Sequence, residues 1–282
     1  MNPPKLHGLI TIDSSNDTFI ITATSGTESG TPRAITLVQG DYFIRGYTGE
    51  THASWPAASS TATGGLVEHI QAQVRAAAGT AFDSFFCSVS DSGFVTLNAA
   101  ESFTMGGEWG TGSSDLRLIL GHTALAFAAG GVVGPNQHRS AWYPDVELNN
   151  LSGHPLARSP YESDARVTVA PNGLGTTTRY NERQRRAFSL SMVGDEFVFP
   201  VGVPLVTNRD YEQFFRDILA VGRRFRMYPD RTVQYGPSGS DTPETFFALQ
   251  DTAQDGTLRG VVPEAVGWAR LWAVQLDCRP YV

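Results

Sequence analysis

Histidines, carboxylates and glycine-rich turns are the places where this sequence could carry out chemistry. The six histidines stand far apart: His7, His52, His69, His122, His138 and His154. None makes an H-x-H, H-E-x-x-H or H-x3–5-H pair, the spacings that place two imidazoles on one Zn²⁺. His69 lies near the polar border of a predicted helix and is expected at the surface. The sequence therefore predicts no metal site.

Nucleophile and phosphate-binding motifs are also missing. GTGSSD (110–115) is not the G-x-S-x-G of a nucleophile elbow, and GGVVGPNQ (130–137) lacks the Lys-Ser/Thr of a P-loop. The acidic residues of DVE (145–147) and GDEF (194–197) are of the type that glycosidases use, but solvated surface carboxylates are far more common. We therefore predict no catalytic residue, no cofactor and no enzymatic activity.

Two arginine clusters are the last candidate for a binding function. ERQRRAF (182–188) and RRFRMYPDR (223–231) interleave basic and aromatic residues, as some nucleic-acid-binding segments do. In the second cluster, strand alternation would place Arg224, Arg226 and Tyr228 on one face. Acidic residues neighbour both clusters. We therefore predict that this face is half-solvated or lies at a contact between subunits, rather than on DNA.

Charge is unevenly distributed along the 282 residues, whose formal net charge is −7. Residues 1–152 contain 6 basic and 13 acidic side chains, whereas residues 153–282 contain 15 of each. A negative chain of this kind has no general affinity for nucleic acid. Lys5 is the one lysine among 21 basic residues, and the excess of arginine suits crowded contacts with carboxylates.

The cysteines and the lengths of the apolar segments indicate the cellular compartment that is expected for the protein. Cys87 and Cys278 lie far apart, each inside a strand-like run, and are expected to be buried free thiols without a disulfide. No segment approaches the roughly 20 apolar residues that cross a bilayer, and the first residues lack a signal-peptide pattern. The chain is therefore expected to be soluble, not exported and not inserted in a membrane.

The first half alternates strand patterns with turn residues and contains one amphipathic helix. Strands are predicted at 8–12, 18–24, 34–38, 41–47, 82–89 and 94–99, the last two joined by a hairpin turn. The helix is predicted over 64–79, with Thr63 as N-cap and Gly79 as stop. Its apolar face comprises Leu66, Val67, Ile70, Val74 and Ala77, and Glu68, Gln71 and Arg75 face away. The pattern does not decide between a helical turn and a strand for SSDLRLILGH (113–122).

The second half repeats this order of strands, helix and strands, which fits either a duplicated unit or coincidence. Strands are predicted at 165–171, 186–193, 196–203, 223–230, 244–250 and 269–281. The helix is predicted over 208–222, with Asn208 as N-cap and Gly222 as stop. Its apolar stripe is Tyr211, Phe214, Phe215, Ile218 and Leu219. In the last strand the apolar face is Trp272, Val274, Leu276 and Cys278.

A loop-like stretch from 129 to 165 separates the halves and predicts two domains. Residues 1–152 form an N-terminal β-rich domain with helix 64–79. Residues 153–282 form a C-terminal β domain with helix 208–222. The predicted fold class is mainly β with a few helices (α+β), built from β-sandwich or split-barrel units, each flanked by one amphipathic helix.

The segment NRDYEQFFRDILAVGRRFRMYPD (208–230) resembles the helix-then-strand segment of tailed-phage tail proteins of the distal-tail and tail-tube type. In that pattern an aromatic-rich helix ends in glycine and leads into a strand matched here by Phe225, Tyr228, Pro229 and Asp230. The chain then closes with a strand like WAVQLDCRPYV. The first half is similar to a module of phage virion proteins, with LILGH where LLGF is usual, so that His122 replaces an apolar residue.

The resemblance implies a non-enzymatic structural protein of a phage tail, of the distal-tail, tube or adaptor kind. Such proteins assemble as rings of three or six copies, contact other tail proteins and enclose a channel through which DNA passes as cargo. Their location is the virion, after assembly in the host cytoplasm.

Two other classes of function stay open on the sequence alone. One is a virion module that binds host-surface carbohydrate, in which Trp55, Trp109 and Trp142 would be exposed stacking platforms, although buried core tryptophans are favoured. The other is a cell-wall hydrolase that uses an unrecognised carboxylate pair.

Overall fold

The structure of the chain is a computed structural model that describes residues 5–46, 65–77, 79–90, 93–106, 116–142, 157–158, 162–169, 175–183, 186–198, 211–228, 244–248, 261–263 and 271–280. The helices are α1 (Leu66–Ala77), α2 (Leu116–Ile119), α3 (Asp195–Val198) and α4 (Tyr211–Phe214), which continues as the π-helical segment Phe215–Leu219, and a 3₁₀ turn covers Thr80–Phe82. The strands are β1 (Lys5–Gly8), β2 (Ile10–Ile12), β3 (Thr18–Ala23), β4 (Pro32–Thr36), β5 (Gly40–Tyr42), β6 (Phe86–Val89), β7 (Phe94–Ala99), β8 (Phe103–Gly106), β9 (Ala126–Phe127), β10 (Gly130–Gln137), β11 (Ala141–Trp142), β12 (Ala157–Arg158), β13 (Glu162–Val169), β14 (Gly175–Arg183), β15 (Arg186–Gly194), β16 (Arg224–Tyr228), β17 (Glu244–Ala248), β18 (Val261–Pro263) and β19 (Leu271–Pro280).

These strands form five antiparallel sheets. The large sheet has the order β11-β1-β16-β17-β19-β15-β12, with β18 also paired to β19. The N-terminal sheets are β4-β3-β8-β9, β10-β7-β6 and β2-β5, and β13 pairs with β14 as a separate hairpin. The fold is therefore mainly β with a few helices, as predicted.

The described residues form two hydrophobic cores. The N-terminal core runs from Ile10 to Phe127 and includes the apolar face of α1. The C-terminal core combines the C-terminal helix (α4 and the π-helical segment) with the large sheet, and it also contains Leu6 and Trp142. The chain therefore starts in the large sheet, leaves it to build the N-terminal core, and returns at β11, which pairs with β1. The predicted boundary at residue 152 lies outside the described residues.

The predicted first helix is confirmed as α1, while two of its polar residues differ from expectation. Leu66, Val67, Ile70 and Val74 are buried, whereas Ala77 is exposed. Gln71 accepts a hydrogen bond from the Cys87 N–H at 3.2 Å, and Arg75 donates to the Phe85 carbonyl at 2.6 Å. Neither side chain is left to solvent alone, because α1 lies beside β6: Gln71 satisfies a backbone N–H of that strand, and the exposed Arg75 satisfies the carbonyl that precedes it. Thr63 lies outside the described residues.

The C-terminal helix confirms the predicted apolar stripe and the glycine stop. Its buried side chains are Tyr211, Phe214, Phe215, Ile218 and Leu219. Gly222 has a φ of 68° and donates its N–H to the Leu219 carbonyl at 3.1 Å. Arg223 N–H donates to the Ile218 carbonyl at 2.9 Å, which completes a Schellman motif. Asn208, the predicted N-cap, lies outside the described residues.

The stretch 130–137, predicted as a loop, is instead the strand β10. It pairs with β7, from Gly130 opposite Ala99 to Gln137 opposite Phe94, with a register shift between Val133 and Gln137. Glycine and proline weaken strand propensity, but both are tolerated on an edge strand and at an irregular position. The prediction fails because the partner that orders β10 is distant in sequence.

Two further segments are helical. The undecided stretch 113–122 contains α2, which ends in a second Schellman motif at Gly121, whose φ is 84°. The predicted strand 196–203 is wrong over its first residues, which belong to α3. This helical turn places Val198 in the C-terminal core, and Asp195 accepts a hydrogen bond from Trp272 Nε1 at 2.8 Å. Tertiary contacts therefore override the local strand pattern.

Among the described residues, no helix is long and apolar enough to cross a membrane.

Candidate functional site

Polar side chains gather where the large sheet meets the N-terminal core. Successive residues of a strand face opposite sides of a sheet. On β1 and β16, Leu6, Phe225 and Met227 belong to the C-terminal core. His7 and its cross-strand neighbour Arg226 therefore lie on the opposite face, toward the N-terminal part of the chain.

Arg226 is a buried link between the two parts. It is 2% exposed, and its guanidinium carbon lies 3.8 Å from the centroid of the Phe43 ring. One guanidinium nitrogen donates to the Arg45 carbonyl at 3.1 Å. A desolvated cation over an aromatic face is a favourable contact. Because its own chain covers it, Arg226 is neither half-solvated nor available to a neighbouring subunit, the two positions that the sequence predicted for this face.

His7 and His138 form a buried polar pair beside Arg226. Their ring centroids are 5.0 Å apart in an edge-to-face arrangement. His138 Nδ1 and the Ser140 hydroxyl are within hydrogen-bonding distance at 3.1 Å, and the Gly8 N–H donates to the Ser140 carbonyl at 2.8 Å. These contacts tie β1 to the segment that leads into β11. Among the described residues, no three His, Cys, Asp or Glu side chains are grouped to hold a metal ion.

An open cleft of about 280 Å³ lies beside this polar layer. Its walls come from β2 and the residues on either side of it, from α2, from the residues before β11 and from the end of the C-terminal helix. The lining includes apolar Leu9, Ile119, Ile218 and Val221, with charged Asp13, Arg139, Arg216, Asp217 and Arg223. The cleft is near the lower end of the volumes typical of small-molecule sites.

Two of the three cleft arginines already have carboxylate partners. Arg139 binds Asp217 with two nitrogens, at 3.0 and 3.3 Å, and this pair joins the segment before β11 to the C-terminal helix. Arg216 pairs with Glu212 one helical turn earlier. The Arg139–Asp217 pair shapes the cleft, since two guanidinium nitrogens bind the two oxygens of one carboxylate.

Arg223 differs from the other two arginines of the cleft. The Schellman motif fixes its backbone directly after Gly222, at the mouth of the cleft. Its side chain is partly buried, and within the described residues its guanidinium donates no hydrogen bond. Among the described residues, its electrostatic partner is Asp13, whose carboxylate already accepts from the Ser15 hydroxyl at 2.6 Å and the Ser15 N–H at 2.8 Å. These hydrogen bonds lower the pKa of the exposed Asp13 carboxyl.

His122 is another buried polar residue, directly after the glycine that ends α2. It is 1% exposed, and its ring contacts the Phe127 ring edge-on at 5.3 Å. Its Nε2 has no hydrogen-bond partner among the described residues. Burial lowers the pKa of His122 to about 4, against a smaller opposing contribution from a hydrogen bond with the Val95 backbone. His122 is therefore an uncharged packing residue at neutral pH.

Acid should destabilise the protein through His122. The folded-state pKa lies below the unfolded value of about 6.5, so the unfolded chain binds the proton more readily, and stability falls as pH drops from about 6.5 to about 4. Between these pH values the free energy of unfolding should fall by about 2–3 kcal/mol because of His122, and a His122→Phe variant should not show this fall. Urea unfolding of both proteins at several pH values measures the difference. Parallel pH profiles would contradict the assignment.

The remaining residues considered from the sequence are structural or lie outside the described residues. His69, predicted at the surface, is buried: its Nε2 accepts from the Val38 N–H at 2.9 Å, and its ring stacks on Tyr42. His69 is buried because its ring accepts this hydrogen bond from a backbone donor between β4 and β5. Residues outside the description are His52, His154, Trp55, Trp109 and the stretches 110–115 and 145–147.

Trp142 and the cysteines are core residues. Trp142 is completely buried, so it cannot be the exposed stacking platform that carbohydrate binding would require. Cys87 and Cys278 are buried free thiols, as predicted, and burial raises the pKa of the Cys87 thiol. Sequence reasoning missed Asp13 and Arg139 as parts of the cleft, since the first reads as a turn residue and the second as an isolated charge.

Comparison with known proteins found no match. No protein-family model fits the chain, and no curated protein or solved structure is significantly similar to it.

Proposed function

We propose that this protein is a non-enzymatic structural component of a bacteriophage tail, of the distal-tail, tube or adaptor kind. In this proposal the β-sandwich or split-barrel units assemble into a ring of three or six copies around the DNA channel, and other tail proteins bind the ring. The virion is its place of action.

The observation that carries the proposal is the way the segment with the resemblance folds. Residues 211–228 form an aromatic-rich helix, a left-handed glycine stop and the strand β16. Strand β17 joins β16 to the terminal strand β19, so the helix and both strands belong to one packed unit. This order of elements is the one expected of the tail-protein pattern.

The hairpin β13–β14 is the proposed contact between neighbouring copies of the ring. Its strands, Glu162–Val169 and Gly175–Arg183, pair with each other and enter no larger sheet within the described part of the chain. A two-stranded hairpin by itself is marginally stable in water, and its free edges can pair with another chain. In a ring, the neighbouring copy would cover it. Such a heterologous contact closes into a ring when the rotation between copies allows.

Charge supports the passage of DNA rather than its binding. The excess of acidic side chains lies in residues 1–152, and a lumen lined by them would repel the phosphate backbone. Charge-reversed variants of this half should therefore slow DNA delivery. Normal delivery by assembled, charge-reversed rings would remove this part of the proposal.

Light scattering and negative-stain microscopy of the purified protein test the ring directly. We expect a mass of three or six copies, or tubes, with a central hole in the images. A single copy at every concentration would contradict ring formation by the isolated chain.

A shortened hairpin separates assembly from folding. Deleting Thr168–Val169 together with their partners Gly175–Thr176 removes two paired rungs, about 7 Å of length, and keeps the register. We expect the ring mass to fall to that of one copy while the melting temperature of the cores stays unchanged. An intact ring would contradict a contact between copies through the deleted end of the hairpin.

A further inference from the structure

The cleft beside the C-terminal helix contains a cation whose hydrogen-bonding capacity is unused. Guanidinium carries five N–H donors in a fixed, planar fork. Arg139 and Arg216 direct theirs to Asp217 and Glu212. Arg223 is partly buried, yet its guanidinium donates no hydrogen bond to any described residue. A partly desolvated donor set of this kind can bind an acceptor from outside the chain in place of water.

The backbone holds Arg223 in this position. Its N–H is fixed to the Ile218 carbonyl by the helix-terminating motif, and the π-helical segment forms the adjoining wall. π-Helical turns are costly and occur frequently at functional sites. The direction of the Arg223 side chain therefore does not depend on a flexible loop.

The rest of the wall is apolar. Leu9, Ile119 and Ile218 line the interior, and Val221 stands at the rim with 60% of its surface exposed. An exposed valine beside a guanidinium that donates no hydrogen bond to a described residue offers a ligand both an apolar contact and a charge. A molecule with an anionic end and a short aliphatic chain matches both.

The nearby charges favour a carboxylate over a phosphate. Asp13 and Asp217 also line the cleft, so a doubly charged phosphate would meet two negative neighbours, whereas a single carboxylate charge meets less repulsion. The two oxygens of a carboxylate also match the guanidinium fork in a planar, bidentate pair.

We infer that this cleft binds a carboxylate group attached to a short aliphatic chain, with Arg223 as its ion-pair partner. The site does not depend on the proposed ring, because all of its lining residues belong to one copy. The carboxylate can come from a free small molecule or from an acidic side chain of a second copy.

Titration with 4-methylpentanoate, followed by nuclear magnetic resonance or calorimetry, tests this inference. We expect saturable binding to the full chain, and at least tenfold weaker binding of the uncharged 4-methylpentanamide and of inorganic phosphate. Equal binding of the acid and the amide would overturn the role of the charge. Equal binding of phosphate would reduce the site to a general attraction for anions and overturn the carboxylate assignment.

Substitutions locate the binding. Arg223→Gln should weaken 4-methylpentanoate binding at least tenfold, whereas Arg33→Gln, which removes the same charge from β4 away from the cleft, should change it less than threefold. Equal effects of the two substitutions would overturn the assignment to Arg223. Comparing the acid with the amide on the unaltered protein keeps the inference testable if either variant fails to fold.

Light scattering distinguishes the sources of the carboxylate. A lower assembly mass in the presence of 4-methylpentanoate would assign the cleft to an acidic side chain of a second copy. An unchanged mass with saturable binding would assign it to a free ligand. Binding without any ring formation would leave this inference standing while the ring is rejected.

Discussion

Replacing Trp142 with alanine is expected to lower the free energy of unfolding by about 3–5 kcal/mol, the usual cost of removing a buried aromatic side chain. Trp142 is fully buried in the C-terminal core, with its ring centroid 4.7 Å from that of Tyr211 and 6.1 Å from that of Phe214. Its Nε1 donates to the Phe197 carbonyl at 2.9 Å. The deletion would therefore leave both a cavity and an unpaired carbonyl. Urea unfolding gives the loss as a shift in midpoint.

Trp142→Phe is the matched control for this prediction. Phenylalanine keeps a large ring but cannot donate to the Phe197 carbonyl, so a smaller loss of about 1–3 kcal/mol is expected. A loss below about 1 kcal/mol for Trp142→Ala would mean that residues 141–142 are not part of the folded core. Such a result would also place Trp142 at the surface, where carbohydrate binding would require it.

Gly121→Ala is expected to cost about 3 kcal/mol or more. Gly121 ends α2 with a φ of 84°, a conformation that costs other residues roughly 1–2 kcal/mol. In addition, a Cβ there would lie 2.1 Å from the carbonyl oxygen of Asn136, a backbone atom of β10. Overpacking of this kind costs roughly a further 1–3 kcal/mol, because the strand itself must move. The loss is measured by urea or thermal unfolding.

Gly222→Ala separates the cost of the left-handed backbone conformation from the cost of the Cβ overlap. Gly222 occupies the same place in the Schellman motif of the C-terminal helix, with a φ of 68°, but a Cβ there would meet nothing within 4 Å. Its replacement should cost about 1 kcal/mol, from the backbone conformation alone. If both alanine substitutions lowered the free energy of unfolding equally, the close approach of Gly121 to β10 would contribute nothing to that loss.

Helix α1, the C-terminal helix and the glycine that ends the C-terminal helix were predictable from the sequence because their signals are local. The spacing of Leu66, Ile70 and Val74 specifies the buried face of α1, and the glycine after Leu219 specifies the end of the C-terminal helix. The last strand was predictable for the same reason, since Val274, Leu276 and Cys278 alternate with polar residues and are all buried. These patterns require no knowledge of distant partners.

The candidate site was not predictable in this way. Arg223 was recognised as part of an arginine cluster, but the cleft also needs Asp13 and Arg139, which lie far from it in the chain. Arg226, three residues after Arg223, is buried over Phe43 instead. The sequence thus shows which residue types are present, but the role of each arginine depends on which distant segments pack against it.

The sequence by itself determined a mainly β chain with few helices, the position and buried face of its two longer helices, and the free state of its cysteines. Periodicity and turn chemistry encode these features within a few residues. The tertiary structure alone decided that β1 and β11 belong to the C-terminal core, that the glycine-rich stretch 130–137 is a strand, and that Arg223 faces a cleft. Each of these depends on backbone pairing or contact between segments distant in sequence. Such pairing depends on loop closure and shared burial, which no local pattern of residues records.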